Sequence, residues 1–165
     1  LEMGELMDPS TDFGEMITEE AAVRVEKWID EAMKQGAKIV IGGKRQGNLI
    51  EPTLLTNTKA TMNVVCEEIF GPVLTVQTFL SEEEALQLAD HATYGLAAGV
   101  FTRDLSRALR VVNELEAGTV WVNRYGRSRD HILPTGGYKS SGIGKDLGRE
   151  AYHANRRSKS VLIDL

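Results

Sequence analysis

The sequence predicts an α/β fold with a mostly parallel sheet. Three stretches with strand character, at residues 73–80, 96–101 and 119–123, alternate with two stretches of helical periodicity. Residues 96–101 are mostly apolar, as expected of a strand that is covered on both faces. Strands that alternate with helices pair in parallel through right-handed crossovers. The chain has 165 residues, which is enough for one domain with a hydrophobic core of its own.

A first helix is predicted after Thr18, because a hydroxyl residue followed by two glutamates is typical of a helix N-terminus. Gly36 ends this helix. Between these positions, apolar residues recur at helical spacing. They are Ala21, Val25, Trp28, Ile29, Ala32 and Met33. A short strand follows at residues 38–41, and residues 49–55 form a second extended stretch.

The second half of the chain continues the pattern. Residues 73–80 are rich in Val and Thr and predict a strand. Ser81 and Glu84 then predict a capping box for the next helix. A further helix is predicted at residues 104–116. Residues 124–144 form a glycine- and charge-rich loop, which at this length is typical of a functional segment.

The composition excludes several classes of protein. It is ordinary, with 42% hydrophobic and 26% charged residues. The net charge of −5 argues against nucleic acid and anionic membranes as partners, since both select basic surfaces. A single cysteine excludes an internal disulfide, and no apolar run is long enough to span a bilayer. The three histidines are too scattered for a metal site. These features predict a cytoplasmic protein.

The most informative motif is the run CEEIFGPV at residues 66–73. It places Glu68 and Phe70 two residues apart, ahead of a Gly-Pro turn and a β-branched strand. An ionised carboxylate accepts hydrogen bonds through two oxygens, so it can bind both hydroxyls of a ribose. An aromatic ring offers a flat apolar face to a nicotinamide ring. The motif therefore predicts a dinucleotide contact. The alternative is an acidic surface turn that leads into a buried strand.

Four spaced motifs resemble the aldehyde dehydrogenase family: EEIFGPV at residues 67–73, YGLAAGVFT at 94–102, GTVWVN at 118–123 and GGYKSSGIG at 136–144. Two upstream motifs fit the same family: DPST at residues 8–11 and LIEPT at 49–53. The motifs occur in the family's order and cover essentially the whole chain. The resemblance implies a three-layer αβα fold with a mostly parallel sheet, of the aldehyde dehydrogenase catalytic-domain type.

In this family a cysteine thiolate attacks the aldehyde, hydride passes to NAD(P)+, and a glutamate-activated water hydrolyses the thioester. The nucleophile, the general base and most of the dinucleotide-binding domain lie upstream of the segment that this chain resembles. The resemblance therefore implies that residues 1–158 are the C-terminal portion of a catalytic domain. Such a portion needs an N-terminal cofactor-binding portion as its partner and is inactive by itself. The alternative is a non-catalytic fragment or paralogue that acts in assembly or binding.

The resemblance also implies individual site residues. The contacts to the cofactor, NAD or NADP, are Glu68, Phe70 and Leu96. The tunnel for a small-molecule aldehyde is lined by Tyr125, Arg129, His131 and Thr135. Thr135 stands where the family often has an aromatic residue, and several arginines lie nearby, which favours a polar aldehyde that carries a carboxylate. The alternative is that these charges face solvent.

Two further residues have open roles. Cys66 is the only thiol, but Glu67 and Glu68 disfavour a thiolate through charge repulsion, so Cys66 is not predicted to be the nucleophile. Asp146 stands where the family usually has a glutamate that is suggested to move protons away from the active-site base. Its shorter side chain leaves two interpretations, a proton relay or a carboxylate at the start of a last helix at residues 146–156.

The C-terminal segment, residues 159–165, alternates between apolar and polar residues. A short terminal strand of this kind needs a partner edge. In aldehyde dehydrogenases the corresponding strand pairs across subunits. The resemblance therefore implies a homo-dimer or tetramer that assembles through residues 159–165.

Overall fold

The computed structural model describes residues 1–126 and 131–165, and it divides into two compact units, Leu1–Ser81 and Glu82–Leu165. The predicted α/β class is confirmed. The elements of the first unit are α1 (Glu19–Lys34), β1 (Lys38–Ile41), β2 (Arg45–Gln46), β3 (Leu49–Ile50), β4 (Thr53–Thr56), α2 (Asn63–Cys66) and β5 (Val73–Val76). Those of the second are α3 (Glu82–Ala89), β6 (Tyr94–Gly95), β7 (Ala97–Val100), α4 (Leu105–Glu114), β8 (Thr119–Val122), β9 (Tyr138–Lys139) and α5 (Gly148–Ala154).

Helix α1 begins and ends where the sequence predicts. The Thr18 hydroxyl accepts a hydrogen bond from the Ala21 amide at 3.2 Å, which caps the first turn. After Lys34 the chain reaches Gly36 with a φ of 102°, a left-handed conformation that glycine adopts without steric cost and that ends many helices. One face of the helix is buried along its whole length, through Ala22, Val25, Ile29 and Ala32.

The first unit contains a three-stranded mixed sheet in the order β1-β4-β5. Strand β4 lies in the centre, antiparallel to β1 and parallel to β5. Leu55 of β4 is fully buried, opposite Ile39 of β1 and Thr75 of β5. It belongs to the core that this sheet shares with helices α1 and α2, formed by Ala22, Val25, Ile29, Ala32, Ala37, Ile50, Leu55, Met62 and Val64.

The second unit contains a second parallel pair, β7 with β8. Helix α4 connects these two strands, as the strand-helix-strand pattern predicts. The Asp104 carboxylate accepts a hydrogen bond from the Arg107 amide at 3.0 Å and caps the start of α4. Helices α3 and α4 are tied together by Glu82, whose two carboxylate oxygens each accept a hydrogen bond from Arg110 at 2.9 Å.

Two predicted features differ in the structure. Strand β5 ends at Val76 instead of continuing to residue 80. Strand β7 alternates between exposed and half-buried residues, so the expectation that it is covered on both faces is wrong for this chain. Its apolar composition comes from alanine, glycine and valine, whose small side chains do not require full burial. No helix among the described residues is long and apolar enough to cross a membrane.

Candidate functional site

The loop between α2 and β5 carries the predicted cofactor residues. Met62 and Val64, just before and within α2, are buried in the core of the first unit, and Ile69 of the loop packs against the same core. Glu68 and Phe70, on either side of Ile69, are exposed. Because Ile69 packs into the core, the Glu68 carboxylate and the Phe70 ring on either side of it lie on the outer side of this short segment.

Phe70 is 75% exposed, and its backbone has a φ of 48°. A positive φ is rare for a bulky residue and persists only when the surroundings fix it. The loop after it turns sharply against the core. The Pro72 carbonyl accepts a hydrogen bond from the Thr53 amide at 2.8 Å, and the Gly71 carbonyl accepts one from Val73 at 2.8 Å. These bonds join the loop to the start of β4 and β5.

Gly71 is in close contact with helix α1. A Cβ atom at this position would lie 2.9 Å from Cγ2 of the buried Val25. The glycine of the Gly-Pro turn therefore allows the loop to approach the helix, in addition to setting the chain direction. Any larger residue would have to displace part of the core.

The Glu68 carboxylate makes no ion pair or hydrogen bond with any residue in the described parts of the chain. Its oxygens are therefore free to accept hydrogen bonds from a ligand. The exposed position agrees with a cofactor contact and also with the alternative of an acidic surface turn. Cys66 is half-buried at the end of α2, two residues before Glu68.

Leu96 lies in the second unit, between β6 and β7, with 51% of its surface exposed. Its carbonyl accepts a hydrogen bond from Thr119 at 3.2 Å, at the start of β8. The adjacent Gly95 donates its amide to the Ser141 hydroxyl at 3.0 Å, and its carbonyl accepts a hydrogen bond from the Gly118 amide at 3.0 Å. Leu96 and the adjacent Gly95 are thus held by residues from the motifs at residues 118–123 and 136–144.

Those contacts belong to a glycine cluster, defined as Gly95, Gly118, Gly136 and Gly137. A Cβ atom on Gly118 would lie 1.6 Å from the Gly136 carbonyl oxygen, and one on Gly95 would lie 2.4 Å from the Glu116 carbonyl oxygen. The other two glycines are equally close to residues 141–145. The three motifs of the second unit therefore meet backbone to backbone, and the spaced glycines make that approach possible.

Lys139 reinforces the same region. Its ammonium group binds the Asp90 carboxylate, the Glu116 carboxylate at 2.9 Å and the His91 carbonyl at 2.8 Å. The hydrogen bonds to Asp90 and then Glu116 raise the pKa of Lys139 above its ordinary value of 10.5. The stabilisation from this shift is fully present below pH 10.5 and is lost as the pH rises through the raised pKa.

Tyr125 follows β8 and packs edge-on against Trp121, with 5.1 Å between the ring centroids. The turn before it is fixed by Asn123, whose side chain accepts a hydrogen bond from the Thr102 amide at 2.8 Å and donates one to the Thr102 carbonyl at 2.9 Å. Asn123 thereby joins the carboxyl ends of the two parallel strands β7 and β8. Tyr125 extends from this edge with 75% of its surface exposed.

His131, Thr135 and Asp146 meet at one corner of the second unit. Thr135 and Asp146 exchange two backbone hydrogen bonds of 2.6 Å, and the Gly148 amide donates to the His131 carbonyl at 3.1 Å. The Asp146 side chain is exposed and makes no capping bond, because α5 begins at Gly148 with Leu147 as its N-cap. The expectation of a helix start at residue 146 is therefore wrong, and a proton-relay role stays a prediction.

The structure groups the predicted residues only in part. Glu68 and Phe70 share one loop, and three others share the corner just described, whereas Leu96 and Tyr125 are held by different contacts. Arg129, predicted to line the tunnel, lies outside the described residues. Sequence reasoning did not single out Asn123 as a tie between strands. The residue type was a signal, because asparagine tolerates a positive φ, and Asn123, directly after β8, has a φ of 57°.

The fold is of the aldehyde dehydrogenase catalytic-domain type, because solved enzymes of this class superimpose on it with TM-scores of 0.86 to 0.88. The chain belongs to the aldehyde dehydrogenase family: the family model described as "Aldehyde dehydrogenase family" matches residues 1–161. The family resemblance and the fold class predicted from the motifs are thus confirmed.

Several relatives illustrate the similarity. The chain is 45% identical to an aldehyde dehydrogenase-like protein of Schizosaccharomyces pombe, over 100% of this chain and 33% of that protein. It is 42% identical to betaine aldehyde dehydrogenase from Staphylococcus aureus, solved in complex with NAD+, with a TM-score of 0.86 and coverage of 93% of this chain and 32% of that one. It is 36% identical to aldehyde dehydrogenase 21 from Physcomitrella patens, solved with the reaction product succinate, with a TM-score of 0.88 and the same coverage. The chain spans about a third of the length of these relatives.

Proposed function

We propose that this chain forms part of an enzyme that oxidises an aldehyde to a carboxylic acid with NAD(P)+, and that Glu68 and Phe70 hold the nicotinamide nucleoside. The observation that carries this proposal is the geometry of the loop between α2 and β5. Ile69 is anchored in the core, while Glu68 and Phe70 beside it are exposed. The binding of NAD+ by the related Staphylococcus aureus enzyme supports the same assignment.

The chemistry of the two side chains fits the cofactor. The Glu68 carboxylate, which has no partner among residues 1–126 and 131–165, can accept hydrogen bonds from both ribose hydroxyls, which fixes the sugar and the ring attached to it. The exposed Phe70 ring can pack against the nicotinamide. When bound, the cofactor accepts the hydride from the substrate, and the role of these two residues is to hold the acceptor in a reactive orientation. The thiolate and the general base belong to the remainder of the enzyme.

We expect Glu68→Gln, made in the enzyme that carries this chain, to slow hydride transfer and to weaken NAD(P)+ binding. The amide keeps the shape but replaces one acceptor oxygen with a donor and removes the charge. The loss of a charge-assisted pair of hydrogen bonds corresponds to a change of roughly 10- to 100-fold in the transfer rate and the dissociation constant. Stopped-flow measurement of nicotinamide absorbance gives the transfer rate, and equilibrium titration gives the dissociation constant.

Glu67→Gln is the matched control, because Glu67 is an exposed glutamate one residue earlier in the same loop. It removes the same charge without altering the predicted ribose contact, so both constants should change by less than about twofold. Equal effects of the two substitutions, or none from Glu68→Gln, would contradict the proposed cofactor contact and favour the acidic surface turn.

The aldehyde is proposed to be polar and to carry a carboxylate. The product bound by the related Physcomitrella patens enzyme is succinate, a dicarboxylate. In this chain Thr135 is half-buried in the place that an aromatic residue often takes in the family, and Arg124 belongs to the same glycine- and charge-rich segment of the sequence. A polar threonine and a cation in one segment favour a charged substrate over an aliphatic one.

We therefore expect kcat/KM for succinic semialdehyde to exceed that for an aliphatic aldehyde of similar length by at least about tenfold, the effect of one charge-assisted hydrogen bond. Steady-state kinetics with the two substrates at fixed cofactor concentration measures the ratio. A preference for the aliphatic aldehyde would disprove the polar substrate and leave the cofactor assignment intact.

Four predictions about the whole protein stay predictions. They are the assembly into a dimer or tetramer through residues 159–165, the inactivity of the chain by itself, the domain limit at residue 158 and the cytoplasmic location. Residues 156–165 form no helix or strand within the described chain. Such a segment remains open to pairing with a partner edge.

A further inference from the structure

We propose that Arg24 of helix α1 is a positioning residue that holds the loop of Glu68 and Phe70 in its cofactor-binding shape. This inference rests on the proposed function of that loop. The guanidinium group of Arg24 donates a hydrogen bond to the Ile69 carbonyl at 3.0 Å, across 45 residues of sequence. The bond therefore reaches the peptide that lies between the two proposed cofactor contacts.

The geometry of that peptide explains why one bond matters. The Ile69 carbonyl belongs to the peptide group that links Ile69 to Phe70, so rotation of this group changes the φ of Phe70. Phe70 is held at a φ of 48°, which a bulky residue does not keep unless its surroundings impose it. A donor on the Ile69 carbonyl opposes the rotation that would return Phe70 to a negative φ. The direction of the Phe70 ring is thereby coupled to Arg24.

Arg24 is itself oriented by its neighbour on the helix. Its guanidinium carbon lies 5.3 Å from the centre of the Trp28 ring, one turn along α1, and Trp28 is half-buried against the core. A cation over an aromatic face is held by the ring electrons, and the planar group keeps its donors in fixed directions. Val25, the next residue of α1, packs closely against Gly71, two residues after Ile69. Helix α1 therefore supports the loop at two points.

Hydrogen exchange on the 165-residue chain tests the structural part of the inference. Two amides report the state of the loop, because Val73 donates to Gly71 and Thr53 donates to Pro72. We expect Arg24→Met to raise their exchange rates about tenfold, as expected from the loss of a hydrogen bond from a charged donor at an accessible position. Arg24→Lys retains a donor and should restore part of the protection.

Lys27→Met is the matched control, because Lys27 is an exposed cation on the same helix whose ion pair, at 3.7 Å, is with Glu31. It should leave the exchange rates of both loop amides unchanged. The amide of Ala37, which follows α1 and donates to the Ala32 carbonyl, should keep its protection in all variants. Unchanged exchange at Val73 and Thr53 in Arg24→Met, or an equal increase in Lys27→Met, would overturn the inference.

A double-mutant cycle in the enzyme tests the coupling to the cofactor. If Arg24 acts through the loop, Arg24→Met should lower the rate of hydride transfer about tenfold alone, and by less than that when Glu68→Gln is already present. Additive effects would show that Arg24 acts elsewhere and reject its positioning role. No effect of Glu68→Gln alone would instead reject the proposed function, while the exchange rates would still decide whether Arg24 holds the loop.

Discussion

Gly118→Ala is expected to destabilise the second unit by about 3 kcal/mol or more, because the added methyl group meets backbone that cannot move aside. Its Cβ would lie 1.6 Å from the Gly136 carbonyl oxygen and 2.7 Å from the carbon of the same group. No side chain can change its rotamer to relieve this overlap. The glycine cluster must separate, and the hydrogen bond from Gly118 to Gly95 is then lost as well.

Urea denaturation followed by tryptophan fluorescence measures this effect. The chain has two tryptophans, Trp28 and Trp121, and Trp28→Phe leaves Trp121 of β8 as the reporter of the second unit. Gly99→Ala in β7 is the matched control, because its Cβ would meet nothing closer than Tyr125 at 3.4 Å, an ordinary contact. It should change the free energy of unfolding by less than about 1 kcal/mol. A similar small change for Gly118→Ala would show that the close approach is not required.

Leu55→Ala is the second substitution with a large expected effect. Leu55 lies in the central strand β4, and its fully buried side chain belongs to the core that the sheet shares with helix α1. Its removal loses the transfer free energy of the side chain and leaves a cavity among neighbours that are fixed by the two flanking strands. We expect a loss of about 3 to 4 kcal/mol, which corresponds to a decrease in Tm of roughly 10 °C for a chain of this length.

Leu74→Ala supplies the comparison, because Leu74 lies in the adjacent strand β5 of the same sheet but is 63% exposed. The same atoms are deleted with little change in burial, so the loss should stay below about 1 kcal/mol. The Trp121→Phe background leaves Trp28 of α1 as the reporter of this unit. A Leu74→Ala effect as large as that of Leu55→Ala would contradict the assignment of the core to the α1 side of the sheet.

The sequence predicted the elements of the fold well where local chemistry determines them. Thr18 and Gly36 mark the limits of α1, because a side-chain cap and a left-handed glycine are both local signals. The length of β5 could not be predicted in this way. A strand continues only while a neighbouring strand offers hydrogen bonds, and β4, its parallel partner, ends at Thr56 opposite Val76.

The residue types of the candidate site could be predicted from the sequence. The contacts that hold these residues in place were less predictable. Glu68 and Phe70 were identified from their types and spacing, and both are exposed in the structure, while their contact with a cofactor stays a prediction. The bond from Arg24 to the Ile69 carbonyl could not be predicted, since it joins positions 45 residues apart and involves a backbone atom that every residue has. The role of the glycine cluster could not be predicted either, because it depends on which backbone segments come into contact.

The contacts of Lys139 have a consequence for a protein family that handles aldehydes. A neutral lysine amine adds to a free carbonyl group and forms a Schiff base with loss of water. The Lys139 nitrogen is held as an ammonium ion by Asp90 and Glu116, and in this form it has no lone pair with which to attack. The same three-way contact therefore lowers the fraction of neutral amine at this lysine, which is the form that a reactive carbonyl compound would modify.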